Sequence, residues 1–113
     1  MRHLAPYAGL LLALASLTPS AAAPALKQSD DPSFRIDNHS SLAITELYAT
    51  PAGRENWGRN RLDNATVPPS ATRLIRIPRT GDCIFDLRVV FADHKSLQRR
   101  HTDLCRITDL AVP

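Results

Sequence analysis

The segment from Cys83 to Cys105 constrains the fold of this 113-residue chain more than any other part of it. It contains the only two cysteines, and its first half places an apolar residue at every second position, which is the period of a half-buried β-strand. These apolar positions are Cys83, Phe85, Leu87, Val89 and Phe91. Residues 92–95 supply a reversal, and residues 96–106 form a more polar return segment. The pattern predicts a long antiparallel hairpin closed by a disulfide between Cys83 and Cys105.

Two registers are compatible with this hairpin. A fold symmetric about His94 places Cys83 opposite Cys105. A two-residue turn at Asp93-His94 instead places Cys83 opposite Leu104, and one bulge on the return strand would restore the cysteine pair. Turns of this second kind usually carry glycine where His94 stands, because the position needs a positive φ. We therefore expect local backbone strain at His94.

Residues 1–25 have the pattern of a secretory signal peptide. A short basic start is followed by an uncharged, Leu- and Ala-rich stretch from Leu10 to Leu17, and small residues then permit cleavage after Ala22 or Ala25. The stretch is too short to span a bilayer, which takes about 20 apolar residues, and no second one follows. We expect a mature chain that begins near Leu26 and works in the periplasm or outside the cell, where disulfides form.

The mature chain has 88 residues from Leu26 onward, which is enough for one small domain. We expect a flexible polar leader over residues 26–32 and a single domain over residues 33–113. No segment has helical periodicity, and strand patterns separated by turn clusters cover residues 34–37, 42–50 and 72–77, the hairpin, and a final strand around Leu110 and Val112. This spacing predicts a small antiparallel β-sandwich, immunoglobulin-like, with six or seven short strands and one disulfide.

Charge argues against a nucleic-acid partner. One of the fourteen Lys and Arg residues lies in the signal peptide, which leaves thirteen cations against eleven acids in the mature chain. This excess is small and the signs are interspersed, so neither nucleic acid nor another polyanion is indicated. Eleven of the thirteen cations are arginine.

The segment from Trp57 to Leu62 reads as a short strand or an ordered loop, because Gly58 breaks any helix and the segment is mostly polar. We expect Trp57 to cap the core from its edge, since a lone tryptophan in a small domain more often packs than recognises a partner. The segment is also the best binding candidate, because Trp and Arg are enriched in interface hot spots. Its candidate binding residues are Trp57, Arg59, Asn60 and Arg61.

Three sequence strings resemble a group of small exported bacterial proteins without an assigned activity. They are Trp57-Gly58-x-Asn60-x-Leu62, Cys83-x-Phe85-Asp86-Leu87-Arg88-Val89-Val90-Phe91-x-Asp93 and Asp103-Leu104-Cys105. The resemblance covers Phe34 to Val112 and departs at His94, where glycine is expected. It implies a periplasmic, disulfide-bonded β-domain and carries over no activity.

Catalysis and metal binding have little support in the sequence. Acids, histidines and a serine are present in the hairpin, but no motif places a nucleophile on a strained turn or builds a pocket. The histidines lack ligand spacing and the cysteines are committed to the disulfide, so we expect no metal and no cofactor. The residues concerned are Asp86, Asp93, Asp103, Ser96, His39, His94 and His101.

A charge ladder is the preferred interpretation of the acid and arginines in the hairpin. Asp86 and Arg88 lie on one face of the first strand, and Arg100 falls opposite Arg88 in the symmetric register. Asp86 would then compensate both arginines. The alternative is an anion site or the footprint of an acidic partner.

The sequence as a whole favours an exported, non-enzymatic binding or structural module of the bacterial periplasm or cell envelope, acting on an unknown protein or envelope carbohydrate. One alternative is an inhibitor of an extracytoplasmic hydrolase that uses the loop from Arg54 to Leu62. Another is an enzyme or metal protein that uses His94 and His101.

Overall fold

The computed structural model describes residues 29–113 together with Gly9 and Lys27. The predicted signal peptide, residues 1–25, lies outside the described residues apart from Gly9. Over residues 29–113 the chain forms six strands and no helix: β1 (Phe34–Asn38), β2 (Ile44–Pro51), β3 (Thr72–Ile75), β4 (Ile84–Phe91), β5 (Ser96–Asp103) and β6 (Asp109–Val112). The predicted all-β class is confirmed for this part of the chain. Within it, no helix has the length and apolar character needed to cross a membrane.

The described strands form two three-stranded sheets, in the orders β3-β1-β6 and β2-β4-β5. The β2-β4-β5 sheet is antiparallel throughout, and β1 is antiparallel to β3. The sandwich is therefore confirmed, but a wholly antiparallel one is wrong, because β1 and β6 pair in parallel. Parallel neighbours need a long crossover, and strands β2 to β5 supply it here.

The core lies between the inward faces of the two sheets. The predicted stripe of β4 is confirmed, with Phe85, Leu87 and Val89 exposed by only 2%, 1% and 3%. Full burial of each such side chain stabilises the fold by about 1.5–3 kcal/mol. The other core side chains from strands and connections include Phe34, Ile36, Ile44, Leu47, Leu62, Val67, Ile75, Leu104, Leu110 and Val112.

The hairpin turns around Asp93 rather than His94. Val90 pairs with Ser96, and the Phe91 N–H donates to the Lys95 carbonyl at 2.9 Å. The predicted position of the turn is therefore wrong in both registers, since the three-residue loop is centred on Asp93. The second register's pairing of Cys83 with Leu104 is confirmed at the far end of the hairpin. In a loop of this kind the last residue is left-handed, and His94 has φ 69°. The expected strain at His94 is confirmed.

The far end of the hairpin is closed by the Cys83–Cys105 disulfide, with the two Cα atoms 5.2 Å apart. The predicted pairing is confirmed. The Leu104 N–H donates to the Cys83 carbonyl at 2.9 Å, so Cys83 lies opposite Leu104 and the disulfide joins neighbouring rather than directly opposed positions.

The described part of the predicted leader contacts the domain. Lys27 donates its N–H to the Arg106 carbonyl at 2.9 Å. Arg79 forms exposed ion pairs with Asp30 at 3.2 Å and Asp31 at 3.3 Å. The described leader residues therefore lie against the domain, through one backbone hydrogen bond and exposed ion pairs of a kind that contribute little to stability.

Candidate functional site

A bulge in β5 determines the geometry of one surface. Leu87 pairs with Arg99, whereas Phe85 pairs with Thr102, so Arg100 and His101 together oppose the single residue Asp86. His101 accommodates the extra residue in a left-handed conformation with φ 53°. Bulges re-aim side chains, and this one places both the His101 N–H and the Arg100 side chain within reach of Asp86.

Asp86 is buried, with 2% exposure, on the side of β4 that faces away from the core. Its Oδ1 accepts from the His101 N–H at 3.0 Å, and its Oδ2 accepts from Arg100 Nη1 at 3.2 Å and the Gly53 N–H at 3.4 Å. Gly53 has φ 88°, a conformation that glycine adopts without strain. Because the carboxylate joins β4, β5 and the loop after β2, its role is to hold structure together.

The pKa of Asp86 is held below its usual range, chiefly by the hydrogen bond from the His101 N–H and also by that from Gly53 and the charge of Arg100. Each of these favours the ionised form. The predicted compensation of Arg100 is therefore confirmed. The rest of the ladder is wrong, because the bulge moves Arg100 away from Arg88, which pairs with Gln98.

Trp57 stacks on this network. The guanidinium carbon of Arg100 lies 5.3 Å from the Trp57 ring centroid, within the range of a cation–π contact. The ring is half-buried and lies outside the hydrophobic cluster of the core. Trp57 thus covers the outer side of the β2-β4-β5 sheet instead of capping the core.

Side chains next to Trp57 extend one continuous surface, which we call the aromatic–arginine face. Tyr48 pairs with Arg88 and Arg88 with Gln98, so the three form a row across the sheet. Arg100 Nη2 donates to Gln98 Oε1 at 3.2 Å, which links this row to Trp57. The members of the face are Tyr48, Trp57, Arg88, Gln98 and Arg100.

Asn60 and Arg61 anchor the loop to the edge of β2. Asn60 Oδ1 accepts from the Leu47 and Leu62 N–H groups, each at 3.0 Å. Arg61 donates its N–H to the Leu47 carbonyl at 2.7 Å and its Nη2 to the Ala49 carbonyl at 3.2 Å. These bonds satisfy an edge that would otherwise be open.

A second surface, the arginine groove, lies between this loop and β3 and has a volume of about 310 Å³. Asp63 and Asn64, with φ 49° and 69°, reverse the chain beside it. Arg61 also contributes to a cavity of about 420 Å³ that contains Arg54. The residues that line the groove are Arg59, Arg61, Asp63, Arg73, Leu74 and Arg76.

The four residues predicted to bind a partner are thus divided between two surfaces. Trp57 belongs to the aromatic–arginine face, and Arg59 and Arg61 belong to the arginine groove. Asn60 makes contacts within the loop. The sequence does not single out Arg73 and Arg76 as binding residues. One signal for Arg73 is present, because strand alternation places it on the same face as Ile75, so that an edge strand directs an arginine towards its core side.

His94 and His101 do not form a common site. His94 precedes β5 and His101 lies near its other end, so seven residues of extended chain separate them by about 20 Å. Sγ of Cys83 and Cys105 lie near Asp103, within 4.8 Å of one another. Both sulfurs belong to the disulfide, so they offer no thiolate to a metal.

Comparison with known proteins finds no match to this chain among family models, curated proteins or solved structures.

Proposed function

We propose that this protein is an exported, non-enzymatic binding module of the bacterial periplasm or cell envelope, and that it binds a protein partner through the aromatic–arginine face. The signal-peptide pattern of residues 1–25 and the disulfide support export. The resemblance to small exported bacterial proteins supports a bacterial source.

The observation that carries the proposal is the fixed position of Trp57 against Arg100. Arg100 is itself held by the buried carboxylate of Asp86 at 3.2 Å, and the loop that carries Trp57 is fastened at Gly53 and Asn60. A side chain already ordered before binding loses little entropy when a partner docks. Tryptophan, tyrosine and arginine are also the residues most enriched in interface hot spots.

The chemistry of the face favours an acidic protein surface. Arg100 keeps 56% of its side chain exposed despite its ion pair, and Arg88 has no carboxylate within salt-bridge distance in the described part of the chain. Complementary charge speeds association and selects partners. The half-exposed Trp57 ring would supply the apolar contact at the centre.

The test uses Trp57 fluorescence, since the chain has one tryptophan. Envelope proteins captured by the protein are purified and titrated against wild type, Arg88→Gln, Arg100→Gln and the control Lys95→Gln, which removes an exposed cation at the hairpin tip. We expect at least one partner to change the Trp57 emission on binding. Its affinity should fall about tenfold for Arg88→Gln and for Arg100→Gln, and should be the same for Lys95→Gln as for the wild type.

Arg88→Gln guards against a folding defect, because among the described residues Arg88 forms no ion pair and its buried Nε has no hydrogen-bond partner. Equal affinity of all four proteins for every partner would contradict the proposal. If the protein binds peptidoglycan fragments and no envelope protein, the ligand is a carbohydrate and the proposed protein partner is wrong.

An inhibitor of an extracytoplasmic hydrolase is the second candidate. Residues 53–59 form an exposed loop, apart from half-buried Trp57, and the loop is fastened at both ends. Such a loop can enter an active site without a large entropy cost. The check is an inhibition assay on periplasmic proteases and peptidoglycan hydrolases, in which Arg54→Ala should raise the inhibition constant and Lys95→Ala should not.

The alternative of an enzyme or metal protein that uses His94 and His101 gains no support from the geometry. The two histidines are separated along β5 by about 20 Å, and both side chains are exposed.

A further inference from the structure

The arginine groove concentrates the positive charge of the domain. Of the eleven arginines after residue 25, four line this one groove, and Asp63 is the single acid among the residues that line it. The overall excess of cations is small, so this clustering is a local property that the net charge does not reveal. Like charges held together destabilise a fold unless a counter-charge is supplied.

Three of the four arginines have no acidic partner in the described part of the chain. Arg59 pairs with Asp63 at 3.1 Å, but both side chains are about two-thirds exposed, and such pairs contribute little. Arg61, Arg73 and Arg76 have no carboxylate within salt-bridge distance among residues 29–113. Arg61 Nε is also buried without a hydrogen-bond partner there.

The groove has two walls that come from different parts of the chain. Arg61 is fixed on one wall by its bonds to the Leu47 and Ala49 carbonyls. Arg73 lies on the other wall, in β3, opposite Ile36 of β1. Burial, and next the charge of Arg59, lower the pKa of Arg61, and the charge of Asp63 opposes this shift only in part.

We propose that the arginine groove binds a phosphorylated ligand, with a phosphate group held between the loop wall and the β3 wall. This site is separate from the aromatic–arginine face, so it is a binding function beyond the one proposed above. Guanidinium groups suit phosphate because each can donate two parallel hydrogen bonds to it.

Phosphate fits the two-walled geometry better than carboxylate does. A phosphate ester presents three acceptor oxygens in a tetrahedral arrangement, so arginines on opposite walls can bind it together. The two oxygens of a carboxylate lie in one plane on one side of the group. A groove of about 310 Å³ is also at the small end of ligand sites, which favours a compact, highly charged group.

The experiment is a calorimetric titration of the exported protein, purified from the periplasm of an expressing bacterium. The probes are tripolyphosphate, citrate, and phosphatidylcholine vesicles with and without phosphatidylglycerol. The variants are Arg73→Gln, Arg76→Gln and their double. The matched control is Lys95→Gln with Arg99→Gln, which removes the same charge at β5 and the hairpin tip, where Arg99 donates to the Ala111 carbonyl of β6.

We expect a phosphate probe to bind the wild-type protein, and each single substitution to lower its affinity about tenfold. The double variant should show no heat of binding, and the control pair should bind with an affinity close to that of the wild type. Binding of tripolyphosphate identifies a soluble phosphorylated ligand as the source. Binding confined to phosphatidylglycerol vesicles identifies a lipid headgroup.

Three results would overturn the proposal. One is that neither phosphate probe binds the wild-type protein. Another is that the control pair loses as much affinity as the Arg73/Arg76 pair, because the effect would then reflect total charge. The third is that citrate binds as tightly as tripolyphosphate and is lost in the same variants.

Discussion

Arginine serves opposite purposes in the two surfaces of this domain. In the aromatic–arginine face, Arg100 is balanced by the buried Asp86 and covered by Trp57. In the arginine groove, Arg73 and Arg76 lie beside other arginines, with no carboxylate within salt-bridge distance of either among the described residues. Arg100 is thus a cation that the fold uses for its own cohesion. Arg73 and Arg76 are cations whose counter-charge must come from elsewhere. Removing Arg100 should therefore lower stability as well as weaken the protein partner's binding, whereas removing Arg73 and Arg76 should weaken phosphate binding without lowering stability.

The largest effect on stability should come from the scaffold that both surfaces share. Replacing both cysteines, Cys83→Ala with Cys105→Ala, opens a loop of sequence separation 22 and should lower the free energy of unfolding by about 3 kcal/mol. Urea unfolding followed by circular dichroism measures this. A loss below about 1 kcal/mol would show that the sandwich closes without the disulfide.

Asp86→Asn should give the next largest loss of stability. Asparagine keeps one oxygen for the His101 N–H but removes the charge that holds Arg100, so that a buried network is left only partly satisfied. The matched control is Asp63→Asn in the arginine groove, which breaks only an exposed pair with Arg59. Thermal unfolding should show a clear fall in Tm for the first variant and almost none for the second. Equal shifts would erase the distinction between the two surfaces.

The effect of Asp86 should also depend on pH. Because its pKa is lowered in the folded protein, its charge stabilises the fold fully above the unfolded pKa of about 4. That contribution is lost as the pH falls through the folded pKa. The stability difference between wild type and Asp86→Asn should therefore be constant from pH 7 to about pH 5 and should shrink below about pH 4. A difference that widens on acidification would contradict the assignment.

A smaller loss should follow from Asn60→Ala. It leaves the Leu47 and Leu62 N–H groups without their acceptor, a cost of about 1–2 kcal/mol. Hydrogen exchange of the Leu47 amide should speed up in the same variant. The exposed Asn56→Ala is the control, and it should change neither quantity. Unaltered exchange in Asn60→Ala would mean that the loop is held by other contacts.

Much of the fold could be predicted from short-range patterns. The alternation from Cys83 to Phe91 predicts β4 and its buried face, and the two cysteines in an exported chain have a single possible pairing. The parallel pairing of β1 with β6 is different, because two four- or five-residue strands carry no local signal of which partner they will meet. The centring of the turn on Asp93 is not predicted, because Asp93-His94 resembles a two-residue turn, whereas the chain places His94 in the left-handed conformation as the last residue of a three-residue loop.

The surfaces were harder to predict because they depend on contacts between distant segments. The strings around Trp57 place a tryptophan and arginines close together in sequence, but Trp57 is directed to Arg100 and Arg59 to the groove. Strand alternation alone predicts that Asp86 is a surface charge. Its burial follows from the bulge, which brings His101 and Arg100 to the carboxylate, and from the Gly53 N–H of a distant loop. Arg73 and Arg76 lie far from Arg61 in sequence and line the same groove only in the folded domain. Their clustering is therefore a property of the tertiary structure.

The central contrast is tested most directly by measuring tripolyphosphate affinity and thermal stability together on two variants of the same protein. We predict that Arg73→Gln with Arg76→Gln abolishes tripolyphosphate binding and does not lower Tm, whereas Arg100→Gln lowers Tm and keeps wild-type tripolyphosphate affinity in the folded protein. The account is contradicted if Arg100→Gln loses tripolyphosphate binding as fully as the Arg73/Arg76 pair, or if that pair unfolds the domain.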